Sequence, residues 1–334
     1  RRCTPGAPGS TTIHAVLDPT VREGHAGVSS GTCAHVLPGL VWLIRLSPQR
    51  ATTSTARIAA VTALRELLCA ADSDDVLAVC VDAGLVAAVG PFLASGNDEL
   101  KLEVTWCLAN IAAGPHDLTA AVLPTVPDLI LLIGCGHYVL AEHAAWVLAN
   151  IAGDSQEFRE RLVANGAVKP LVGLLSCKTA STAKTAAWAL SNLLEGGTTS
   201  AIPFMEAGIG PALFACFQAT PPDRGVCTEA AWCLTFLTSR EPDVARALVD
   251  GGLFTIVGGA LGAGHQPIMR PLVRCIGACV VLALPAVLPC LSAMLTSPDR
   301  SGFVEAFALH CAHVCVRADV KEAAWVVSNI AAGT

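Results

Sequence analysis

Apolar and polar positions along this chain alternate in blocks of helical period, and the blocks recur. One such block is Glu-His-Ala-Ala-Trp-Val-Leu-Ala-Asn-Ile-Ala-Gly-Asp, residues 142 to 154, an apolar run interrupted by Asn150 and closed by Gly153-Asp154. Related blocks open at Trp106 (Trp-Cys-Leu-Ala-Asn-Ile-Ala-Ala-Gly), Trp188 (Trp-Ala-Leu-Ser-Asn-Leu-Leu-Glu-Gly), Trp232 (Trp-Cys-Leu-Thr-Phe-Leu) and Trp325 (Trp-Val-Val-Ser-Asn-Ile-Ala-Ala-Gly). Trp106, Trp146, Trp188 and Trp232 are separated by 40, 42 and 44 residues, and Trp325 follows after 93, about twice the unit. A fixed period near 42 predicts an all-α solenoid of stacked helical repeats.

Each unit has one layout: a short helix ending at Gly, an apolar helix, a polar turn, then the helix that carries the Trp. Gly84, Gly166, Gly208 and Gly252 mark the first joint, where Gly can take the left-handed conformation that stops a helix. The third unit departs, with Pro124 and Pro127 flanking a joint that has Val126 in the Gly slot. The first repeat begins near His35, turns at Ser47-Pro48-Gln49 and has Leu64 in the Trp slot. Its Trp42 lies in the wrong helix for the series and is expected in the core. Residues 1–30 are rich in Gly, Pro, Ser and Thr without apolar period, which predicts a disordered tail ahead of a repeat array over 31–334. The array is irregular at about 275–320. Residues 275 to 295 are apolar and uncharged, but Pro285 and Pro289 are expected to interrupt them, which argues against a membrane span.

Asn recurs four residues after Trp, as Asn110, Asn150, Asn192 and Asn329. That spacing puts both side chains on one helix face, one turn apart. Asn is a poor interior helix residue, because its amide competes for nearby backbone groups. Repeating it at one phase of each unit predicts a binding ladder. Adjacent indoles can form slots for the aliphatic stems and cationic heads of Lys and Arg. The Asn amide, both donor and acceptor, can hold an extended peptide backbone without reading its side chains. Glu103, Glu229 and Glu322, each three before a Trp, could line the same face.

The blocks at Trp106, Trp146, Trp188 and Trp325 resemble the armadillo repeats of the importin alpha family of nuclear-import adaptors, over residues 36 to 334. The resemblance implies a right-handed armadillo superhelix, here of about seven repeats. It also implies a function, the binding of Lys/Arg-rich nuclear localisation signals of cargo proteins in a concave groove, and a location in cytoplasm and nucleus. Residue by residue, it implies that Asp154, eight after Trp146, pairs with the key Lys of the signal. Gly114 and Thr119 would line that Lys pocket and Glu142 would be a groove acid. The main site would thus hold Trp106, Asn110, Gly114, Thr119, Glu142, Trp146, Asn150, Asp154, Trp188 and Asn192. A second, weaker site would hold Trp232, Arg274, Glu322, Trp325 and Asn329. It is weaker because Ala278 stands where the family has Asn after the Arg, Leu284 where it has an acid, and Phe236 replaces Asn after Trp232. The basic arm through which the family binds importin beta is not visible. Importin beta is therefore expected as a partner only if such an arm exists outside this chain, and the array is expected to be truncated at its carboxy terminus.

Composition narrows the alternatives. The net charge of −6 argues against direct nucleic-acid binding and suits a basic partner. Fifteen cysteines are scattered through helical positions with no Cys-x-x-Cys, and read as small buried apolar residues in a reducing compartment. No phosphate loop, nucleophile elbow or zinc-protease motif occurs, so no enzyme and no cofactor is expected. His310, Cys311, His313 and Cys315 have the chemistry of metal ligands, but their spacing cannot share one helix face, so no metal is expected. The competing reading is an armadillo scaffold for other protein partners, without import activity.

Overall fold

The structure is a computed structural model, and it describes residues 30–45, 51–69, 73–196, 199–262 and 265–296. Residues 1–29 of the predicted tail, Glu322, Trp325, Asn329 and the His310 to Cys315 cluster lie outside the described residues, and Ser30 opens the first helix. Every regular element among the described residues is helical: the chain is an all-α armadillo solenoid.

The helices run α1 (Ser30–Arg45), α2 (Ala51–Cys69), α3 (Asp74–Asp82), α4 (Leu85–Val89), α5 (Asp98–Ala112), α6 (His116–Val122), α7 (Val126–Ile133), α8 (Tyr138–Asp154) and α9 (Gln156–Ala164). They continue as α10 (Val168–Leu174), α11 (Ala180–Leu194), α12 (Ile202–Glu206), α13 (Ile209–Gln218), α14 (Arg224–Thr238), α15 (Pro242–Asp250), α16 (Leu253–Gly262) and α17 (Gln266–Thr296). The Trp slot falls on every third helix: Leu64 on α2, Trp106 on α5, Trp146 on α8, Trp188 on α11, Trp232 on α14 and Arg274 on α17. The chain divides into two units between Pro170 and Leu171. In the first, α2 packs on α5 and α5 on α8; in the second, α11 packs on α14 and α14 on α17.

Local chemistry sets the joints. Gly84, Gly166, Gly208 and Gly252 all have positive φ, from +78° to +99°, as the helix-stop reading requires. In the third unit a turn of 3-10 helix, Leu123–Thr125, runs straight into α7 with Val126 right-handed, so no Gly is needed there. Side chains cap the starts of α5 and α14: Asn97 Oδ1 accepts from Leu100 N at 2.9 Å and Asp223 Oδ1 from Val226 N at 2.9 Å. Between neighbouring third helices, thiols fill the gaps. Cys107 Sγ donates to Val61 O and Cys233 Sγ to Ala187 O, and both cysteines are fully buried.

Two expectations are corrected. Trp42 is not core: it is 63% exposed. The buried face of α1 is carried by Leu37, Val41 and Ile44 at helical spacing, and Trp42 falls outside that stripe. Pro285 and Pro289 do not interrupt the apolar stretch, since α17 runs through them, as α1 runs through Pro38. A proline deletes one ladder hydrogen bond without obliging the helix to end. The resulting 31-residue α17 stands where earlier repeats start a new short helix, which is the physical form of the irregularity read at 275. A different stretch, His116–Ile133, is long and apolar enough to cross a membrane by length and composition, and half of it is buried in the packing of the first unit.

Candidate functional site

In the first unit, α5 and α8 lie side by side and bring Trp106 and Trp146 together. Their ring centroids are 5.9 Å apart and the planes are tilted by 54°. A methylene stem sandwiched between two rings needs two carbon contacts of about 3.5–4.0 Å, so the rings would stand roughly 7–8 Å apart. The indoles therefore touch each other, and the slot expected between them is closed. Trp106 is half-buried, while Trp146 is 8% exposed. The sequence did not flag His143, three residues before Trp146. Its ring centroid lies 5.1 Å from that of Trp106 and 6.3 Å from that of Trp146. Burial pushes its pKa down to about 4, so it is a neutral aromatic wedge at neutral pH. Its phase offers a signal that was readable: Glu103 and Glu229 occupy the same place, three before Trp106 and Trp232.

The Asn residues have work inside the chain. Asn110 is buried and its Nδ2 donates to Trp106 O at 3.0 Å, back along its own helix. Asn150 is buried and its Nδ2 donates to Ala109 O at 3.0 Å, across to α5. A clamp from one repeat to the one before it is a second physical reason for Asn to recur at this phase.

Asp154 ends α8, eight residues beyond Trp146, or about 12 Å along the helix at 1.5 Å per residue. Its Oδ1 lies 2.5 Å from Nδ1 of His116, which is 56% exposed against 14% for the Asp154 side chain. The His116 imidazole stacks flat on Phe158 of α9, with centroids 4.7 Å apart and planes 8° from parallel. The bond to Asp154 holds the His116 pKa above its ordinary value. Gly114 lies in the turn ahead of α6, and Thr119 lies within α6, behind that turn. A Cβ on Gly114 would come within 3.0 Å of Leu118 Cδ1, which explains a small residue there. Thr119 is fully buried, with Oγ1 3.2 Å from Ala112 O and 3.3 Å from Gly114 O. It shapes the turn from behind and is closed to solvent. Glu142 is also buried, a full turn before Trp146. Glu103 is held by Arg65, Nε to Oε2 at 2.7 Å.

In the second unit, Trp188, Asn192, Trp232 and Arg274 are all half-buried. Trp232 stacks on Phe236, one turn on, at 5.9 Å and 27°, so the residue replacing Asn extends the aromatic surface instead. Burial raises the Glu229 carboxyl above its ordinary range, opposed by Lys184 and by a hydrogen bond from Ser191. Thr235 Oγ1 donates to Pro271 O at 2.6 Å and ties α14 to α17. Ala278, in the missing-Asn position, is buried.

Both units thus carry indoles at a fixed phase of the third helices, and in the first unit Glu103 is paired with Arg65 and Asp154 with His116. Among the described residues, no three or more His, Cys, Asp or Glu side chains converge as a metal site.

Comparison with known proteins agrees with this geometry. Residues 155–195 match the Armadillo/beta-catenin-like repeat. The chain is 34% identical over 283 residues to importin subunit alpha-9 of Arabidopsis thaliana, covering 83% of this chain and 53% of that protein. It is 32% identical over 265 residues to importin subunit alpha-2 of Oryza sativa subsp. japonica, covering 76% and 48%. The chain thus spans about half the length of the curated relatives it matches. Among solved structures, it is similar in fold to an engineered protein with a TM-score of 0.75 at 24% identity, covering 96% of this chain and 77% of the other. It is also similar in fold to a designed armadillo repeat protein in complex with the peptide (KR)4, with a TM-score of 0.65 at 22% identity, covering 72% and 98%. Repeat period, helix order and sequence likeness agree, and the chain belongs with the importin alpha subunits, a family of armadillo-repeat proteins.

Proposed function

We propose that this chain is a non-enzymatic adaptor that binds Lys/Arg-rich nuclear localisation peptides of cargo proteins, working between cytoplasm and nucleus. The observation that carries the reading is Asp154. It is a carboxylate at the end of a Trp helix, little exposed, and already in contact with a basic side chain at 2.5 Å. It offers a peptide Lys a charge-assisted partner, and the half-buried indole of Trp106 offers apolar surface for an aliphatic stem. Trp188 with Asn192 extends the main site in this reading, and Trp232 and Arg274 belong to a second, weaker one with Glu322, Trp325 and Asn329. The chain's net charge of −6 favours approach of a basic peptide. Importin beta would join only if a basic arm exists outside this chain.

The test is titration of a Lys-rich signal peptide against the wild-type chain and Asp154→Lys. Losing a charge-assisted bond costs about 1.5–3 kcal/mol, and the like charge adds to that, so affinity should fall on the order of tenfold to several hundredfold. Unchanged affinity would put the Lys pocket elsewhere. One observation favours the alternative, an armadillo scaffold for other protein partners without import activity: the closed contact between Trp106 and Trp146 leaves no slot for a stem.

A further inference from the structure

His116 is an unexpected neighbour for a carboxylate that is to receive lysine. It opens α6, two residues beyond Gly114, and it reaches across to the last residue of α8. Three features hold it there. Nδ1 is at hydrogen-bond distance from Asp154 Oδ1, the ring lies flat on Phe158, and the imidazole keeps more than half of its surface in water. The exposed ring edge gives the side chain a way out, since no other helix covers it enough to bury it. The carboxylate that it contacts is much less exposed than the ring.

We infer that His116 is a tethered counter-ion that occupies Asp154 in the unliganded chain, and that a peptide lysine binds by displacing it. The inference rests on the peptide-binding reading above. Displacement has a proton balance. In the free chain the protonated imidazole donates from Nδ1 to the carboxylate, and that bond keeps it protonated to higher pH than an ordinary histidine. When the lysine ammonium takes that oxygen, the imidazole loses the partner that held its proton, and the proton leaves to solvent. The charged groups acting on the ring are Asp154 from α8, Asp117 beside it on α6 and Glu157 from α9, in decreasing order. All three favour the imidazolium, and Asp154 acts most strongly. A lysine at Asp154 removes the largest of the three. Net proton release then makes binding tighter as pH rises through the titration of His116 and constant above it, whereas the lysine itself stays charged to about pH 10.

The arrangement also sets selectivity. A weak or badly placed cation cannot outcompete a base that is already tethered and stacked, so the pocket rewards a fully charged ammonium on a long stem. His116→Asn keeps a polar side chain of similar reach, removes the titration and leaves Asp154 without a fixed cation.

The test is calorimetric titration of a Lys-rich signal peptide at pH values from about 5.5 to 8, in two buffers of different ionisation enthalpy, on the wild-type chain and on His116→Asn. For the wild type, affinity should rise with pH by up to about tenfold per unit, the limit for one released proton, and the buffer dependence should show that proton. For His116→Asn, the profile should be flatter, with no matching release and tighter binding than wild type at the acidic end. Pulses in other histidines appear in both proteins and cancel in the comparison. Binding by both proteins with parallel profiles would overturn the role of His116 alone. Absence of binding by both at every pH would overturn the peptide-binding reading and this inference with it.

Discussion

Single residues here carry two kinds of work. His143 packs against Trp106 and Trp146 as a neutral ring, with its pKa lowered to about 4. In the unfolded chain it titrates near 6.5, so the unfolded state binds the extra proton between those values. Its contribution to stability is fully present above about pH 6.5 and is lost as pH falls towards about 4, by roughly 3 kcal/mol over the whole window. Denaturant unfolding of His143→Phe should show a smaller loss between those pH values than the wild type, and an equal loss would contradict a buried neutral His143. Asn150 also works within the chain. Its bond to Ala109 O predicts that Asn150→Ala destabilises the first unit by about 0.5–1.5 kcal/mol even without peptide, measurable as a lower Tm. An unchanged Tm would assign Asn150 to ligand contact alone. The phase of Trp and Asn was legible in the sequence because it depends only on helical period. His116 over Asp154 and Arg65 on Glu103 were not. Each pairs residues 38 apart on different helices, and their meeting depends on how one repeat is rotated against the next.

At the scale of elements, the joints were the most readable part. Four glycines at matching phase predicted four left-handed turns, and the backbone has them. At Gly208 a Cβ would meet nothing within 4 Å, so the penalty for a side chain there is conformational alone. Gly208→Ala should therefore cost about 1–2 kcal/mol, read from denaturant midpoints, and a neutral effect would mean that the α12 to α13 joint relaxes without strain. The elements that the sequence misread share one cause. Trp42 points out because the apolar stripe of α1 lies at Leu37, Val41 and Ile44, and a single residue type gives no face. α17 continues through prolines because packing decides whether a helix survives a missing hydrogen bond, and packing is not written in the local sequence.

At the scale of the whole molecule, the account assigns unequal strength to the two ends of the array. The amino-terminal end has Trp106, Trp146 and Trp188 with Asn110, Asn150, Asn192 and Asp154. The carboxy-terminal end has a buried Ala278 in place of the Asn, Leu284 in place of an acid, and α17 where a joint would otherwise fall. Trp146→Ala should therefore weaken peptide binding strongly and Trp325→Ala hardly at all, and the reverse order would contradict the assignment. The central claim, that the chain binds basic signal peptides, is tested most directly by titrating one Lys-rich nuclear localisation peptide and its Lys-to-Ala counterpart against the wild-type chain. The account predicts saturable binding of the first and, from loss of the charge-assisted contact, affinity for the second weaker by at least about tenfold. Equal affinity for both, or binding of neither, would contradict it.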